Sequence, residues 1–406
     1  MEPNSLTPEL QAQAAKLKRG TLGIVPENGL EQKLLKAAKT GKPLKIKLGL
    51  DPTAPDIHLG FAVVLRKLRQ FQDLGHEVII IIGDYTALIG DPSGRSATRP
   101  MLSAEEIQAN AKTYVDQLAR ILDREKTTVR FNGEWLGKLD FAEVVRLASN
   151  ITVARVLERD DFAKRYAEHQ PISLHELLYP LAQAYDSVAI EADIEMGGQD
   201  QMFNILTGRD LQEKVGQEPQ IALFMPLLVG LDGVKKMSKS LGNYIGIAET
   251  PDAMFGKILS LSDAQMRDYF ILCTDVPTEE IEALLKRAET GEMNPKDVKR
   301  RLAQAIIDIY HPPHTDADGA TVSPALIADA EWHRVHAAGE LPSDMPDITI
   351  PAGSTSTTGT VWICKLLVIA GMAKSNGEAR RLVTQGGVEL QGEKVTNPDA
   401  EFPLPS

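Results

Sequence analysis

The stretch that decides the fold is residues 45–82, KIKLGLDPTAPDIHLGFAVVLRKLRQFQDLGHEVIIII. Its first residues alternate apolar with polar as far as Gly49, which is typical of a β-strand, and residues 61–74 carry apolar side chains at three- and four-residue steps, which predicts a helix. Gly75 suits the end of that helix, and the β-branched run at residues 78–82 is typical of a buried parallel strand. The stretch therefore predicts one strand–helix–strand unit.

The rest of the chain extends this unit and then changes character. Residues 175–187, 190–196 and 201–215 continue the alternation of helix, strand and helix, and Ser103 with Glu106 forms a capping-box pattern before another helix. The fold class is therefore α/β, with a Rossmann-type doubly wound parallel sheet.

Two further units are predicted behind the sheet. After Pro251 the strand patterns stop, and helix-start signals at Ser262 and Thr278 predict a small α-helical domain. Residues 341–360 are rich in Pro, Ser, Thr and Gly and predict a linker. Beyond it, residues 361–370 and 375–384 predict two short helices, and residues 388–395 predict a hairpin with Gln-Gly at its turn.

Composition excludes several classes of protein. The chain has 406 residues, which favours two or three domains, and 43% of them are hydrophobic and 25% charged, as in ordinary globular proteins. The net charge of −12 means that any nucleic-acid contact has to be local. Cys273 and Cys364 are too few for a disulfide framework. The first residues lack a secretory signal and no apolar run reaches the roughly 20 residues of a membrane span, so we expect a cytoplasmic protein.

The loop between the first strand and its helix carries the first chemical signal. It puts His58 and Gly60 at a helix N-terminus, where unpaired amides bind phosphate. Gly60 lets a phosphate or an adenine approach the backbone, and His58 can donate a hydrogen bond to an α-phosphate oxygen. The alternative is a proline-rich loop whose histidine only caps the helix.

A second signal is Lys236-Met237-Ser238-Lys239-Ser240, which follows an apolar run and an Asp-Gly turn. Two lysines three residues apart, flanked by hydroxyl groups, suit a polyphosphate that must be held until it leaves. A solvated basic turn is the alternative.

A third signal is the set Tyr179, Gln183 and Asp186, whose steps of four and three residues put them on one face of a predicted helix. A carboxylate and an amide beside an aromatic ring can bind a zwitterionic amino acid and its hydroxyl group. An amphipathic helix with a polar outer stripe is the alternative.

Taken together, the His-Leu-Gly tripeptide and the Lys-Met-Ser-Lys-Ser segment resemble the signature pair of class I aminoacyl-tRNA synthetases. Residues 49–53 (GLDPT), 90–94 (GDPSG) and 197–201 (GGQDQ) are similar to the same segments of bacterial tyrosyl-tRNA synthetases, and the likeness covers almost the whole chain. The resemblance implies a homodimeric ligase that activates tyrosine with ATP and magnesium, without a tightly bound cofactor, and then esterifies tRNA(Tyr).

The resemblance also implies a role for each matching residue. The tyrosine site would be formed by Asp91, Tyr179, Gln183, Asp186 and Gln201. The ATP site would be formed by Asp51, Thr53, His58, Gly60, Gly198, Asp200, Lys236 and Lys239. Arg95 and Arg99 would meet the leaving pyrophosphate, with plain surface charge as the alternative.

Three positions depart from the common family pattern. Phe61 occupies the position of a second histidine, Lys47 stands where many bacterial members have a tyrosine that contacts the substrate phenol, and Glu195 replaces a frequent glutamine. The second partner of the substrate hydroxyl group is therefore open. No role is assigned to Lys47 or Glu195 from the sequence.

The implied domains are a catalytic domain with a dimer-forming insertion (1–232), the Lys-Met-Ser-Lys-Ser loop with an α-helical anticodon-side domain (233–343), a linker (344–358) and a C-terminal α+β RNA-binding module (359–406). The module resembles a domain of a small-subunit ribosomal protein. Lys374, Arg380 and Arg381 can contact RNA phosphates there, and a solvated helix face is the alternative.

Rival functions are a tryptophanyl-tRNA synthetase, a small-molecule nucleotidylyltransferase and a non-catalytic RNA-binding paralogue. The Tyr179, Gln183 and Asp186 face favours tyrosine over tryptophan, the later domains do not suit a nucleotidylyltransferase, and an intact lysine loop argues against a non-catalytic protein. The histidine pairs 311/314 and 333/336 do not predict a metal site, because Pro312-Pro313 separates the first pair and the second is a polar helical stripe.

Overall fold

The computed structural model describes residues 6–50, 57–90, 106, 115–336, 339–340, 347–351, 353–354 and 359–403. The chain divides into two compact units, Met1–Ala337 and Ala338–Ser406. Across these ranges, no helix is long and apolar enough to cross a membrane. The finer domain boundaries expected at residues 232, 343 and 358 stay predictions.

A six-stranded sheet lies at the centre of the first unit, with the strand order β1-β6-β5-β2-β3-β4. Strands β2 to β6 pair in parallel, and β1 pairs antiparallel with β6 at one edge. The predicted doubly wound parallel sheet is confirmed, and the antiparallel edge strand adds to it. The strands are Gly23–Val25 (β1), Lys45–Leu50 (β2), Glu77–Ile82 (β3), Thr127–Phe131 (β4), Ile194–Gly198 (β5) and Ile221–Met225 (β6).

The chain order of the strands reverses between β2 and β5. From β2 the chain passes through the Leu59–Asp73 helix to β3 on one side, and from β5 it passes through the Met202–Lys214 helix to β6 on the other. Such a switch point leaves a crevice outside the carboxyl ends of the two strands. His58 follows β2 and Gly198 ends β5, so both sequence motifs lead to this crevice.

The Leu59–Asp73 helix begins two residues earlier than predicted because His58 caps it, its ring Nδ1 accepting the Phe61 amide at 3.3 Å. Gly75 takes the left-handed conformation (φ +84°) in which glycine is favoured after a helix. The predicted helix at residues 175–187 starts as a 3₁₀ turn, Leu174–Leu178, and becomes α-helical at Tyr179, where Pro180 suits the first turn. The expected start at Ser103 lies outside the described residues.

Further helices of the first unit flank the sheet or follow it. They are Pro8–Lys18, Gly29–Thr40, Thr86–Ile89, Gly133–Leu136, Phe141–Ala148, Val153–Leu157, Asp160–Ala167, Tyr179–Ile190, Pro251–Leu259, Met266–Cys273, Thr278–Glu289, Pro295–Tyr310 and Pro324–His336.

The predicted helical region after Pro251 is present, and Ser262 forms the expected capping box with Gln265. The expectation that strands stop there was wrong at one place, since His314–Thr315 pairs with Thr321–Val322. This hairpin depends on a turn at Asp316, whose Oδ1 accepts the Ala320 amide. Only two residues pair on each side, so the strands are too short to produce an alternating pattern.

The second unit has its own apolar core, formed around the Ile363–Ile369 and Asn376–Thr384 helices. The first of these helices is shorter than predicted because Thr360–Trp362 is a strand paired with Glu401–Pro403. The predicted hairpin pairs Glu389–Leu390 with Glu393–Lys394, and its turn residues Gln391 and Gly392 both have positive φ. A two-residue hairpin turn of type I′ requires positive φ at both of its central residues.

Candidate active site

A cavity of about 600 Å³ opens at the carboxyl ends of β2 and β5. This volume lies within the range of small-molecule sites. Ten of the predicted site residues line it: His58, Gly60, Tyr179, Gln183, Asp186, Gly198, Asp200, Gln201, Lys236 and Lys239. The predicted residues Asp51, Thr53, Asp91, Arg95 and Arg99 lie outside the described residues.

His58 is held in one orientation at the start of the Leu59–Asp73 helix. Its Nδ1 accepts the Phe61 amide, and the backbone on either side pairs with the segment that follows the lysine loop, the Leu59 amide donating to the Ile245 carbonyl at 2.8 Å. Burial and the nearby Lys239 charge lower the pKa of His58 to about 4. A neutral ring that accepts at Nδ1 carries its proton on Nε2, so His58, which lines the cavity, can donate a hydrogen bond only from Nε2.

Gly60 makes room for the lysine loop. Its amide lies 3.2 Å from the Met237 sulfur, and a Cβ at this position would come within 3.1 Å of both the Met237 Cβ and the His58 ring. Any other residue would push the loop and the histidine apart. The two sequence motifs are therefore in direct contact.

The lysine loop returns antiparallel to the segment before it, with the Met237 amide donating to the Leu228 carbonyl at 2.7 Å. Asn243 holds the loop from the other side: its Oδ1 accepts the Ser238 amide at 2.8 Å, and its Nδ2 donates to the Lys236 carbonyl at 3.2 Å. Asn243 was missed in the sequence because its partners belong to a loop without a periodic pattern.

Lys236 makes a contact that the sequence did not predict. Its Nζ lies 3.1 Å from Asp200 Oδ2, so the lysine loop contacts the segment that follows β5, and both side chains line the cavity. Both side chains are partly exposed, so the attraction between them is weak. The pair therefore does not hold the Lys236 ammonium group firmly in place.

Asp186 is a buried carboxylate at the cavity wall, 2% exposed. It accepts hydrogen bonds from Trp135 Nε1 at 2.8 Å and from Asn132 Nδ2 at 3.3 Å. Burial raises the pKa of Asp186 to about 7, while the Lys47 charge and these two hydrogen bonds work in the opposite direction. Trp135 and Asn132 come from more than 50 residues away, so helical spacing could not reveal them.

Tyr179 and Gln183 lie on the same helix as Asp186, as predicted, and both line the cavity. Tyr179 is buried, and the Gln183 amide nitrogen donates to Glu195 Oε1 at 3.2 Å. Glu195 in turn forms a buried ion pair with Lys47 at 2.9 Å. Two of the three departures from the family pattern, Lys47 and Glu195, therefore contact each other directly behind the cavity wall.

At the end of β5, Gln201 Oε1 accepts a hydrogen bond from Asn204 Nδ2 at 2.9 Å, and Gly198 lies against the Asp200 carboxylate.

In the second unit, Lys374, Arg380 and Arg381 are exposed. Arg380 pairs with Asp399 and lies over the Trp362 ring, so part of its charge is already compensated.

No group of three or more metal-binding side chains occurs among the described residues. Each of the histidine pairs 311/314 and 333/336 has a member with a contact inside the fold. His311 Nε2 lies 2.8 Å from the Glu249 carbonyl, and the His336 ring stacks on Trp332 with ring centroids 4.7 Å apart. Both rings therefore have contacts within the fold.

The cavity lies at the switch point of the sheet, where doubly wound folds bind nucleotides, and it joins a histidine-capped helix to a two-lysine loop. Sequence comparison agrees: residues 39–323 match the family described as tRNA synthetases class I (W and Y), and residues 339–404 match the Tyrosine--tRNA ligase SYY-like C-terminal domain. The chain belongs to the class I tRNA synthetase (W and Y) family.

Named relatives align with nearly the whole chain. A Tyrosine--tRNA ligase of Moorella thermoacetica is 55% identical over 396 residues, covering 98% of this chain and 92% of its own length. That of Haemophilus influenzae is 52% identical over 383 residues, covering 94% of this chain and 90% of its own length.

Solved structures support the fold. A C-terminally truncated mitochondrial tyrosyl-tRNA synthetase of Aspergillus nidulans superposes with a TM-score of 0.62 at 20% identity, covering 80% of this chain and 94% of that one. The Archaeoglobus fulgidus tyrosyl-tRNA synthetase, solved with L-tyrosine, gives 0.62 at 23% identity, covering 75% and 98%.

Proposed function

We propose that the chain is a tyrosine–tRNA ligase. It joins L-tyrosine to the α-phosphate of ATP, releasing pyrophosphate, and then transfers the tyrosyl group from the adenylate to the 3′-terminal adenosine of tRNA(Tyr), releasing AMP. The observation that carries the proposal is that one cavity holds a buried carboxylate, Asp186, together with the phosphate-directed set His58, Lys236 and Lys239. The named relatives are tyrosine–tRNA ligases at 50–55% identity, which supports the same conclusion.

Tyrosine recognition rests on the Tyr179–Ile190 helix. Asp186 accepts the phenol proton as a hydrogen bond, and the hydrogen bonds from Trp135 and Asn132 fix the carboxylate in place. Tyr179 and Gln183, with Asp91, bind the α-ammonium group, and Gln201 lies near the carboxylate or the ribose. A buried acceptor of this kind disfavours phenylalanine, which would leave the carboxylate without its partner.

ATP binds along the other wall of the cavity. His58 donates from Nε2 to an α-phosphate oxygen, Gly60 lets the nucleotide approach the backbone, and Gly198 with Asp200 lies against the ribose. Lys236 and Lys239 bind the phosphates. Asp51 and Thr53 also face ATP, and Arg95 and Arg99 meet the pyrophosphate as it leaves.

The chemical step needs no general base, because the tyrosine carboxylate that attacks the α-phosphorus is already ionised at neutral pH. The bond from the α-phosphorus to the bridging oxygen breaks as the new one forms, and the developing charge passes to pyrophosphate. Catalysis then consists of positioning the two substrates and stabilising that charge. The neutral His58 and the two lysines suit this task.

The family uses ATP, and we propose that it enters as its Mg²⁺ complex, with the ion bound mainly to the phosphates. We also propose a homodimer in the cytoplasm, where ATP and tRNA occur. Exposed apolar side chains in the segment after β4 support a subunit interface there. They are Phe141, Val145, Val153, Tyr166 and Leu174.

The test is ATP–pyrophosphate exchange measured with each standard amino acid in turn, on the full-length protein. Tyrosine should support rapid exchange and phenylalanine should be slower by about 10⁵, the magnitude established for tyrosyl-tRNA synthetases. Exchange that depends on tryptophan would instead assign the other branch of the family. Absence of exchange with every amino acid would favour a non-catalytic RNA-binding protein.

A further inference from the structure

Lys47 and Glu195 form a buried ion pair behind the proposed amino-acid site. They are direct partners in the register of β2 and β5, and their side chains are 0% and 1% exposed. Lys47 Nζ lies 2.9 Å from Glu195 Oε1 and also donates to the Gln183 carbonyl at 3.0 Å and to Ser187 Oγ at 2.8 Å. All three ammonium protons are therefore used, two of them on the helix that carries Asp186.

Both carboxylate oxygens of Glu195 also accept hydrogen bonds. Its Oε1 accepts from Lys47 and from Gln183 Nε2, and its Oε2 accepts from Ser187 Oγ at 3.0 Å and from Gln220 Nε2. An ionised carboxylate only accepts hydrogen bonds, so it holds the NH₂ end of the Gln183 amide. The amide oxygen of Gln183 is then left for a ligand of the cavity that Gln183 lines.

We propose that the Lys47–Glu195 pair positions the amino-acid site: Glu195 presents the Gln183 oxygen to the substrate ammonium group, and Lys47 keeps Asp186 an acceptor for the phenol. Both are positioning residues, since neither touches the substrate in this arrangement. The inference rests on the proposed function, because it names what orients the tyrosine-binding side chains.

The electrostatics of Asp186 support the second half of this proposal. Lys47 donates to residues 183 and 187, which flank Asp186 in the same helix. Its charge lowers the pKa of Asp186 against the effect of burial, whereas the Glu195 charge raises that pKa. The other groups that bear on the carboxylate are Trp135 and Asn132, which donate to it and favour its ionised form. Without Lys47, the Glu195 charge would stand uncompensated, and Asp186 would remain protonated to higher pH.

Stability alone does not account for such a pair. Two buried charges of this kind are often no more stabilising than apolar side chains of similar size, because removing them from water costs as much as their attraction returns. The pair does, however, bear on the orientation of the Gln183 amide and on the charge of the Asp186 carboxylate, and both side chains line the cavity.

The experiment compares Lys47→Met, Glu195→Gln and the double variant with wild type in tyrosine-dependent ATP–pyrophosphate exchange across a pH series. In Glu195→Gln the new amide can donate as well as accept, so Gln183 loses its fixed direction. KM for tyrosine should rise about 10- to 100-fold, as for a lost hydrogen bond to a charged group, while KM for ATP stays the same. In Lys47→Met the acidic limb of kcat/KM for tyrosine should move to higher pH.

The double variant keeps the test decisive if a single variant folds poorly. It removes both buried charges, so its thermal midpoint should recover relative to the single variants while KM for tyrosine remains raised. Asp329→Asn is the matched control: it breaks the Arg300–Asp329 pair in the helical region and should lower the thermal midpoint without changing KM for tyrosine.

Recovery of both the thermal midpoint and the tyrosine KM in the double variant would overturn the inference, since the pair would then be only structural. An unchanged tyrosine KM in Glu195→Gln, or an unmoved acidic limb in Lys47→Met, would also overturn its respective half. A wild-type protein without tyrosine-dependent exchange would instead remove the proposed function, a result that the variants cannot produce.

Discussion

At the scale of single residues, Asp186 is the side chain on which we propose that amino-acid selectivity depends. Replacing Asp186 by Asn keeps the size of the side chain and an oxygen for Trp135, but removes the charge that accepts the phenol proton. We expect kcat/KM for tyrosine to fall about 10- to 100-fold, with little change for phenylalanine. Exchange kinetics with both amino acids measure the effect, and full discrimination retained in the variant would exclude Asp186 from this role.

The pKa of Asp186 makes a separate prediction about pH. Burial raises this pKa from 3.8 to about 7, so the folded protein binds a proton between these values that the unfolded chain has released. The stability contributed by this proton is complete below pH 3.8 and is lost as the pH rises through about 7. We therefore expect wild type to lose thermal stability relative to Asp186→Asn across this window.

The rate of tyrosine activation should increase with pH while thermal stability decreases, because the proposed acceptor of the phenol proton is the ionised Asp186 carboxylate. kcat/KM for tyrosine should rise with pH through about 7. His58 does not produce this limb, since its pKa is lowered to about 4. A limb that persists in Asp186→Asn and disappears in His58→Ala would reverse this assignment.

Residue spacing was sufficient to predict that Tyr179, Gln183 and Asp186 share a face, because steps of three and four residues fix neighbours on a helix. It could not predict what those residues contact. Asn132 and Trp135 reach Asp186 from a different segment, and Lys47 reaches Glu195 across two strands that are distant in sequence. Such partners depend on strand order, which local pattern does not contain.

At the scale of elements, the lysine loop and the His58 helix form one structure, joined at Gly60 and Met237. We expect Lys239→Ala to slow single-turnover adenylation by about 10²-fold or more, because its charge matters most as pyrophosphate leaves. Equilibrium binding of tyrosine should barely change. An unchanged adenylation rate would separate the loop from the chemistry.

Asn243 offers a test of the loop's position without removing a charge. Asn243→Ala deletes the hydrogen bonds to the Ser238 amide and the Lys236 carbonyl, so the loop should lose its fixed geometry. We expect adenylation to slow and KM for ATP to rise, with tyrosine binding intact. Thr321→Ala, in the remote hairpin, is the control for a general loss of stability; equal effects of both variants would contradict the prediction.

The sequence predicted elements whose signal lies within the element itself. It did not predict strands that form only by pairing with a distant segment. The strands and helix within residues 45–82 follow from local signals: the apolar period of the first strand and the helix, Gly75 after the helix, and the β-branched run of the second strand. The edge strand β1 is only three residues long and pairs with a strand some 200 positions away, and Thr360–Trp362 becomes a strand only because Glu401–Pro403 returns to pair with it. In both cases the segment forms a strand because of the distant strand with which it pairs.

At the scale of the whole molecule, the two units are built around separate apolar cores. All ten cavity-lining residues predicted from the sequence belong to the first unit, and the three cations predicted to contact RNA, Lys374, Arg380 and Arg381, belong to the second. Removing residues 338–406 should therefore leave tyrosine-dependent ATP–pyrophosphate exchange close to that of the full chain. Aminoacylation of tRNA should weaken, because the truncation removes Lys374, Arg380 and Arg381, which we propose contact tRNA phosphates.

Substitutions in the full-length chain test the same division without truncation. Lys374, Arg380 and Arg381 are all exposed, but Arg380 is also paired with Asp399 and lies over the Trp362 ring. Each phosphate contact releases about one counterion, so Lys374→Ala and Arg381→Ala together should make the salt dependence of tRNA charging shallower by about two units of slope. Arg380→Ala should mainly lower the thermal midpoint of the second unit. Charging and exchange assays across a salt series decide the matter: equal losses in both would make the module structural, and unchanged charging would mean that these cations do not bind tRNA.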